Sequence, residues 1–324
     1  MIIAIIGATG LVGSEIIKVL KEKPNKNIKK ILLVASKKNI GKKIKNTNKK
    51  LISIEDAIKE KPKCVLFSAG SEVAKKYAEK FTKSGSIVID NSSAFRMDPK
   101  IKLIVPEINK QKITKKDKII ANPNCSTIQM VLALSPIHKK NKIKRIVVST
   151  YQAVSGSGND GIKQLKEEQN NKRVFKKIYK KQIFKNVIPH CDEFNKNNYT
   201  KEEEKIIKET NKILNSKIKI TATAVRVPTI GGHAESVNIE LEKRTTLKEI
   251  KKLLKNQKGI ILQEGIKYKT PIEVKGSNNV YVSRLRKDHS IENGFNMWVV
   301  ADPLRKGAAT NATQILDYII NLHK

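Results

Sequence analysis

Apolar positions along this chain recur with two different rhythms. Residues 1–22, MIIAIIGATGLVGSEIIKVLKE, form an apolar strand pattern, a Gly-rich turn and a helical pattern with Val12, Ile16, Val19 and Leu20 on one face. Short apolar runs follow in KILLVAS, KCVLFSAG, GSIVIDNSS and KLIVPEI, with a helical stretch near 71–83. Alternating strand and helix signals predict a parallel, doubly wound α/β sheet of the Rossmann type over residues 1–122. The first apolar run has no basic lead-in and meets glycine rather than a cleavage site, so it is expected to be a strand and not a signal peptide.

After residue 122 the pattern changes. IKRIVVSTYQAV predicts a strand, and SGSGNDG punctuates it. A basic helical stretch to about 185, a helix near 201–214 and β-rich text at 218–242 and 278–300 follow. This predicts a second, α+β domain over 123–303, its sheet antiparallel or mixed with helices on one side. The final segment, DPLRKGAATNATQILDYIINLHK, predicts a long helix, 304–324. There is no internal repeat, and the Lys/Asn-rich stretch 40–50 is expected to be a mobile loop.

Composition narrows the class. With 324 residues, 39% hydrophobic and 30% charged, the chain has the profile of a globular protein with a substantial core. No apolar run approaches a membrane span, so no membrane partner is expected. Three cysteines without a Cys-x-x-Cys exclude a zinc ribbon and argue against a disulfide framework; no metal site and a reducing cytoplasm are expected. The net charge of +36 would suit a nucleic-acid binder. Lysine rather than arginine carries it, however, and it is spread along the whole chain with few aromatics between, as on solvated faces. Specific nucleic-acid binding is therefore not expected.

Several stretches carry candidate chemistry. GATGLVG places Gly7, Gly10 and Gly13 between a first strand and a helix, where glycines allow a tight turn, close approach to a pyrophosphate and close helix packing. The second strand ends in Ser36 and Lys37 rather than an acidic residue, which suits the 2′-phosphate of NADP. In IANPNCSTIQM, Cys125 opens a helix, where amide N–H groups favour a thiolate; an inert capping cysteine is the plainer alternative. VRVPTIGGHAES sets His233 in a Gly-Gly turn, a position for proton transfer beside a thiol. STYQAVSGSG offers the Gln152 amide and turn N–H groups to a reacting carbonyl. Arg96 and Lys205 suit a phosphate and Arg226 a carboxylate held bidentately, although each could be surface charge.

Together these stretches resemble the aspartate-β-semialdehyde dehydrogenases. The likeness runs in order through GATGLVGSE, SSAFRMD, VPEIN, ANPNCSTIQM, YQAVSGSG, YTKEEEK, VRVPTIGGHAES and LRKGAATNATQ. It implies a homodimer with an N-terminal Rossmann domain completed by the C-terminal helix 304–324, and a second domain shaped like that of glyceraldehyde-3-phosphate dehydrogenase. It implies Cys125 as nucleophile, His233 as acid/base and Gln152 as the residue orienting the acyl intermediate. Arg226 with Glu202 would bind the substrate carboxylate, and Arg96 with Lys205 the phosphate. Gly7, Thr9, Gly10, Leu11, Val12, Gly13, Ser36, Lys37, Ser155, Gly156 and Asn311 would bind NADP. The substrate would be aspartyl phosphate, reduced to aspartate semialdehyde for lysine, threonine, methionine and diaminopimelate synthesis. Ala234 stands where the turn often carries Ser, and SKKN lacks an arginine that many bacterial members place near the 2′-phosphate. N-acetyl-γ-glutamyl-phosphate reductase is the nearest enzymatic alternative, but NPNCST departs from its Pro-Gly-Cys-Tyr-Pro-Thr. The alternative of another class is a basic nucleic-acid-binding protein on a Rossmann scaffold.

Overall fold

The computed structural model describes residues 1–44 and 49–323; residues 45–48, inside the stretch expected to be mobile, lie outside the described residues. The chain forms two compact units, Met1–Pro123 with Ala308–Lys324, and Asn124–Gly307.

The first unit begins with β1 (Ile2–Ile6), α1 (Leu11–Glu22), β2 (Lys30–Val34), α2 (Ile54–Lys59), β3 (Cys64–Phe67) and α3 (Ser71–Lys83). β4 (Ile87–Asp90), β5 (Lys102–Leu103), α4 (Pro106–Asn109) and β6 (Ile119–Ala121) follow. The strands form one parallel sheet in the order β2-β1-β3-β4-β6-β5. Strand alternation divides its core in two. Ile3 and Ile5 of β1 point into one cluster with Ile16 and Leu20 of α1, whereas Ala4 and Ile6 join Ala57 of α2 and Ala74, Ala78 and Phe81 of α3 on the other face. Both faces are covered, which is why the strands are almost wholly apolar.

The second unit opens with α5 (Cys125–Lys140), β7 (Ile143–Ala153), α6 (Gly158–Gln169), α7 (Lys201–Leu214), β8 (Lys219–Val227) and β9 (His233–Leu241). It continues through α8 (Leu247–Lys255), β10 (Ile260–Leu262), β11 (Val280–Asp288) and β12 (Gly294–Ala301). Its mixed sheet runs β10-β11-β12-β9-β7-β8. β7 is parallel to β8 and antiparallel to β9, so the ends of β7 and β8 and the start of β9 meet at one edge of the sheet. α5, α7 and α8 pack against this sheet. The opposite face carries Tyr151, Tyr281 and Trp298, with the Tyr151 and Trp298 rings 5.5 Å apart. The chain returns to the first unit as α9 (Thr310–Leu322), whose Ile315, Leu316, Ile319 and Ile320 complete the core cluster around α1.

The structure departs from the sequence reading in four places. The basic stretch to 185 is not helical beyond Gln169, because side chains of α6 take up its backbone amides. Gln164 Oε1 accepts from Ile178 and Tyr179 N–H, and Glu168 Oε2 from Ile183 and Phe184 N–H, all at 2.7–2.9 Å. KLIVPEI contributes only two strand residues, since Pro106 lacks an N–H and instead begins a short helix. α8, capped by a Thr246–Glu249 box, was hidden by its basic composition. The last helix begins with a π-helical turn at Arg305–Ala309 before its α-helical part.

Gly7 and Gly13 are required by close approach. Gly7 lies at φ +81°, and a Cβ there would fall 2.7 Å from the Ser68 carbonyl oxygen; one on Gly13 would fall 2.2 Å from that of Gly7. A Cβ on Gly10 meets only the Gly7 oxygen, at 3.3 Å. Gly13→Ala is expected to cost about 1–3 kcal/mol by overpacking, and Gly10→Ala distinctly less. Urea unfolding midpoints of the two variants check this ordering.

Candidate active site

Cys125 is the first residue of α5, half-buried and outside any disulfide. Asn124 caps the helix, its Oδ1 accepting from Ser126 N–H at 3.0 Å and Thr127 N–H at 3.2 Å. The cap is itself anchored to α7: Asn124 N–H donates to Glu209 Oε2 at 2.7 Å, and Asn124 Nδ2 to Glu202 Oε1 at 2.8 Å. Gly307 lies close on the other side, where a Cβ would meet the Cβ of Cys125 at 2.7 Å. The other two cysteines differ sharply. Burial pushes the thiols of Cys64 and Cys191 up to about 12, which leaves them inert.

The sheet edge where β7, β8 and β9 meet gathers the remaining groups. Gln152 pairs in register with Arg226, one residue before the end of each strand. Gln152 Nε2 donates to Ser126 Oγ at 3.1 Å and to Glu202 Oε1 at 3.1 Å, which ties β7 to the first turn of α5 and to α7. The next peptide, at Ala153, holds two side chains at once. Its carbonyl accepts from Arg226 Nη1 at 2.8 Å, and its N–H donates to His233 Nδ1 at 3.1 Å. Gly156 leaves room for both, since a Cβ there would lie 2.9 Å from Arg226 Nη1 and 3.0 Å from His233 Nε2.

These contacts set protonation. His233 is fully buried, and burial, reinforced by the Arg226 cation, lowers it to about 3. It is therefore neutral near pH 7. Because Nδ1 accepts from the Ala153 N–H, the proton sits on Nε2, which makes no hydrogen bond among the described residues. Burial alone would raise the Glu202 carboxyl. Lys205, the Asn124 and Gln152 amides and Arg226 outweigh it and hold the group below the usual carboxylate range. Lys205 is bonded to Asp192 Oδ2 at 2.6 Å and Glu202 Oε2 at 3.3 Å; these partners raise it against the opposing effect of burial. Arg226 is buried, its guanidinium 6.0 Å from the Tyr179 ring centre and its backbone paired with Ile188.

Of the residues singled out in the sequence, the second unit thus brings together Cys125, Gln152, Glu202, Lys205, Arg226 and His233, with Gly156 against the last two. Ser155 is buried beside them, its hydroxyl 3.4 Å from the Gly231 carbonyl. The first unit holds the others. Gly7 and Ala8 N–H groups bond the Val34 carbonyl and draw the Gly-rich turn to the end of β2, where Ser36 and Lys37 begin a single 3₁₀ turn. Thr9 is exposed, Leu11 and Val12 are half-buried, and Gly10 caps α1 without a side-chain bond. Arg96 follows β4, with Nη2 donating to the Asn91 carbonyl at 2.8 Å. Asn311 is fully buried and donates to the Ile104 carbonyl and Asn122 Oδ1.

Sequence reasoning overlooked Glu209, Asp192, Tyr179 and the Ala153 peptide. Glu209 had a signal, because it lies two turns beyond Glu202 and so shares its helix face. The backbone of Ala153 had none, and neither did Asp192 or Tyr179, which come from irregular chain.

Comparison with known proteins fixes the family. Residues 2–116 match the model of the semialdehyde dehydrogenase NAD binding domain, and residues 134–306 that of the semialdehyde dehydrogenase dimerisation domain. The aspartate-semialdehyde dehydrogenase of Aquifex aeolicus is 46% identical over 98% of this chain and 97% of its own. That of Bacillus subtilis is 43% identical over 99% and 98%. The crystal structure of aspartate semialdehyde dehydrogenase II from Vibrio cholerae superposes with a TM-score of 0.94 at 41% identity, covering 98% of both chains. A second structure of that protein, complexed with ASA, gives the same score at 40% identity, covering 99% of this chain and 98% of its own. The chain belongs to the aspartate-semialdehyde dehydrogenase family of oxidoreductases.

Proposed function

We propose that the chain reduces L-aspartyl 4-phosphate to L-aspartate 4-semialdehyde and phosphate, with NADPH, through a thioester on Cys125. The carrying observation is the cluster around the Ala153 peptide, where a carboxylate-binding arginine and a neutral imidazole share an edge with Gln152, itself bonded to the helix that Cys125 begins.

A dinucleotide fits the first unit. The Gly7–Gly13 turn has no room for side chains at either end, and Gly10 leaves the first amides of α1 without a side-chain cap, which suits a pyrophosphate. Ser36 and Lys37 after β2 favour a 2′-phosphate, and Ser155, Gly156 and Asn311 are assigned to the same cofactor by the family likeness. When bound, NADPH supplies the hydride that reduces the thioester.

The chain's own residues account for the remaining chemistry. The N-terminus of α5 favours an anionic sulfur at Cys125. Its sulfur forms a bond to the acyl carbon, the C–O bond to phosphate breaks, and the phosphate leaves with a proton from solvent. Lys205 is available to that phosphate by exchanging its Asp192 partner, and Arg96 is assigned to it as well. After reduction, the oxyanion of the thiohemiacetal accepts a hydrogen bond from His233 Nε2–H. Re-forming the carbonyl breaks the C–S bond and returns the thiolate. The family likeness gives His233 both an acid and a base role; the bond at Nδ1 supports the donor half. Arg226, with Glu202 beside it, takes the substrate carboxylate. The product would serve lysine, threonine, methionine and diaminopimelate synthesis in the cytoplasm. The aromatic face of the mixed sheet would join two copies into a homodimer.

The direct test is the reverse reaction: aspartate semialdehyde, phosphate and NADP, with NAD in parallel. Phosphate-dependent NADPH formation is expected; activity on N-acetylglutamate semialdehyde instead would overturn the substrate. Cys125→Ala is expected to abolish turnover while NADPH still binds by fluorescence titration. Arg226→Lys should raise KM for aspartate semialdehyde at least about ten-fold, since a point charge cannot reproduce the guanidinium fork, and an unchanged KM would refute that role.

The neutral histidine also predicts a pH dependence. Between the folded value of about 3 and the usual 6.5, the unfolded chain binds the proton that folded His233 refuses. Stability from this group is therefore present above about pH 6.5 and lost as pH falls, by up to about 1.4 kcal/mol per unit. His233→Gln should flatten the fall measured by urea unfolding between about pH 4.5 and 6.5. Equal slopes would contradict a neutral buried imidazole.

A further inference from the structure

Behind the reactive side chains lies a second polar pair that the reaction does not use. Cys125 and Gln129 are one turn apart on α5 and share a helix face. His233 and Glu235 are two residues apart on β9 and share a sheet face. The helix packs against the strand. Gln129 and Glu235 are each only 1% exposed. Gln129 Nε2 donates to the backbone carbonyl of His233 at 3.3 Å, and its side-chain amide is near enough to the Glu235 carboxyl to favour the charged form of that acid.

We propose that Gln129 and Glu235 are positioning residues that set the spacing between Cys125 and His233, an inference resting on the reading of those two as nucleophile and oxyanion donor. A helix and a strand joined only by apolar packing can slide by fractions of an ångström, because dispersion contacts have no direction. A hydrogen bond from the nucleophile's helix to the main chain of His233 removes that freedom. Gln129 could satisfy its amide in other ways, and Glu235 limits them by engaging the same side chain.

The form of Glu235 matters too. Its neighbours across the sheet are Thr150 of β7 and Val299 of β12, and its Oε2 makes no hydrogen bond among the described residues. Burial raises the carboxyl well above its ordinary range and so favours the protonated form, against the opposing effect of the Gln129 amide. A neutral acid orients the glutamine without setting a negative charge behind a sulfur that must become an anion.

The test uses the full chain and the variants E235L, Q129L and E235Q, with folding checked by thermal unfolding. E235L and Q129L should each lose on the order of 10²-fold in kcat, with KM for aspartate semialdehyde within about two-fold and NADPH affinity unchanged. E235Q, which copies the shape of the protonated acid, should recover at least about ten-fold of the loss seen in E235L. The double variant Q129L/E235L should be no worse than either single one, since the pair acts as a unit. Wild-type kcat in the leucine variants, a loss shared by KM, or an E235Q as impaired as E235L would each overturn the proposal. If E235L does not fold, the contrast between Q129L and E235Q carries the test. A wild-type chain inactive on aspartate semialdehyde would defeat the functional reading alone. Alkylation of Cys125 by iodoacetamide would then decide: rates altered together in E235L and Q129L and restored in E235Q uphold the positioning role, and unaltered rates refute it.

Discussion

The arrangement of the second unit turns on the main chain of one residue. At Ala153 the carbonyl and the N–H each hold a side chain. The carbonyl fixes Arg226 at the end of β8, and the N–H fixes the tautomer of His233 at the start of β9. Because β7 is parallel to one neighbour and antiparallel to the other, the end of β8 and the beginning of β9 are brought to the same edge. A one-residue slip of either strand would turn its functional side chain to the opposite face. Sheet register and side-chain chemistry are therefore a single constraint here.

Charge in this site is arranged by pairing and burial rather than by accumulation. Glu202 touches the helix cap, Gln152 and Lys205, so one carboxylate links the nucleophile's helix, the central strand and α7. Most of the chain's large positive charge lies outside this cluster. Among the described residues, Lys306 is the sole lysine in the buried set, and the buried arginines are Arg96, Arg226 and Arg305. Lys205 is partly buried within the site, and most of the remaining lysines are exposed, where such charge governs solubility more than fold.

Much of this was legible in the sequence because the signals were local. The Gly-x-x-Gly-x-x-Gly turn, the alternation of apolar strands and helices, and the placement of Cys125 at a helix start are each written within a dozen residues. The clustering of Cys125, Gln152, Arg226 and His233 could be expected only from the family resemblance, since it depends on strand order. What escaped notice escaped for physical reasons. The segment after Gln169 looked helical because Lys, Ile and Gln favour helices, yet Gln164 and Glu168 claim its amides. Tertiary hydrogen bonds overrode propensity there. The roles of Ala153 and Asp192 rest on backbone geometry and irregular chain, to which residue identity gives no access.

That same segment also bounds the surroundings of Arg226. Residues 170–185 form no strand or helix of their own and are latched to α6 by three side chains, Asp160, Gln164 and Glu168. Tyr179, in the middle of the latch, faces the guanidinium of Arg226, and Ile188 just beyond it pairs with the Arg226 main chain. Arg226 is thus walled on one side by irregular chain, whereas Cys125 and His233 stand at the starts of a helix and a strand. A substitution between residues 170 and 188 can therefore reach the guanidinium without altering either of those two elements.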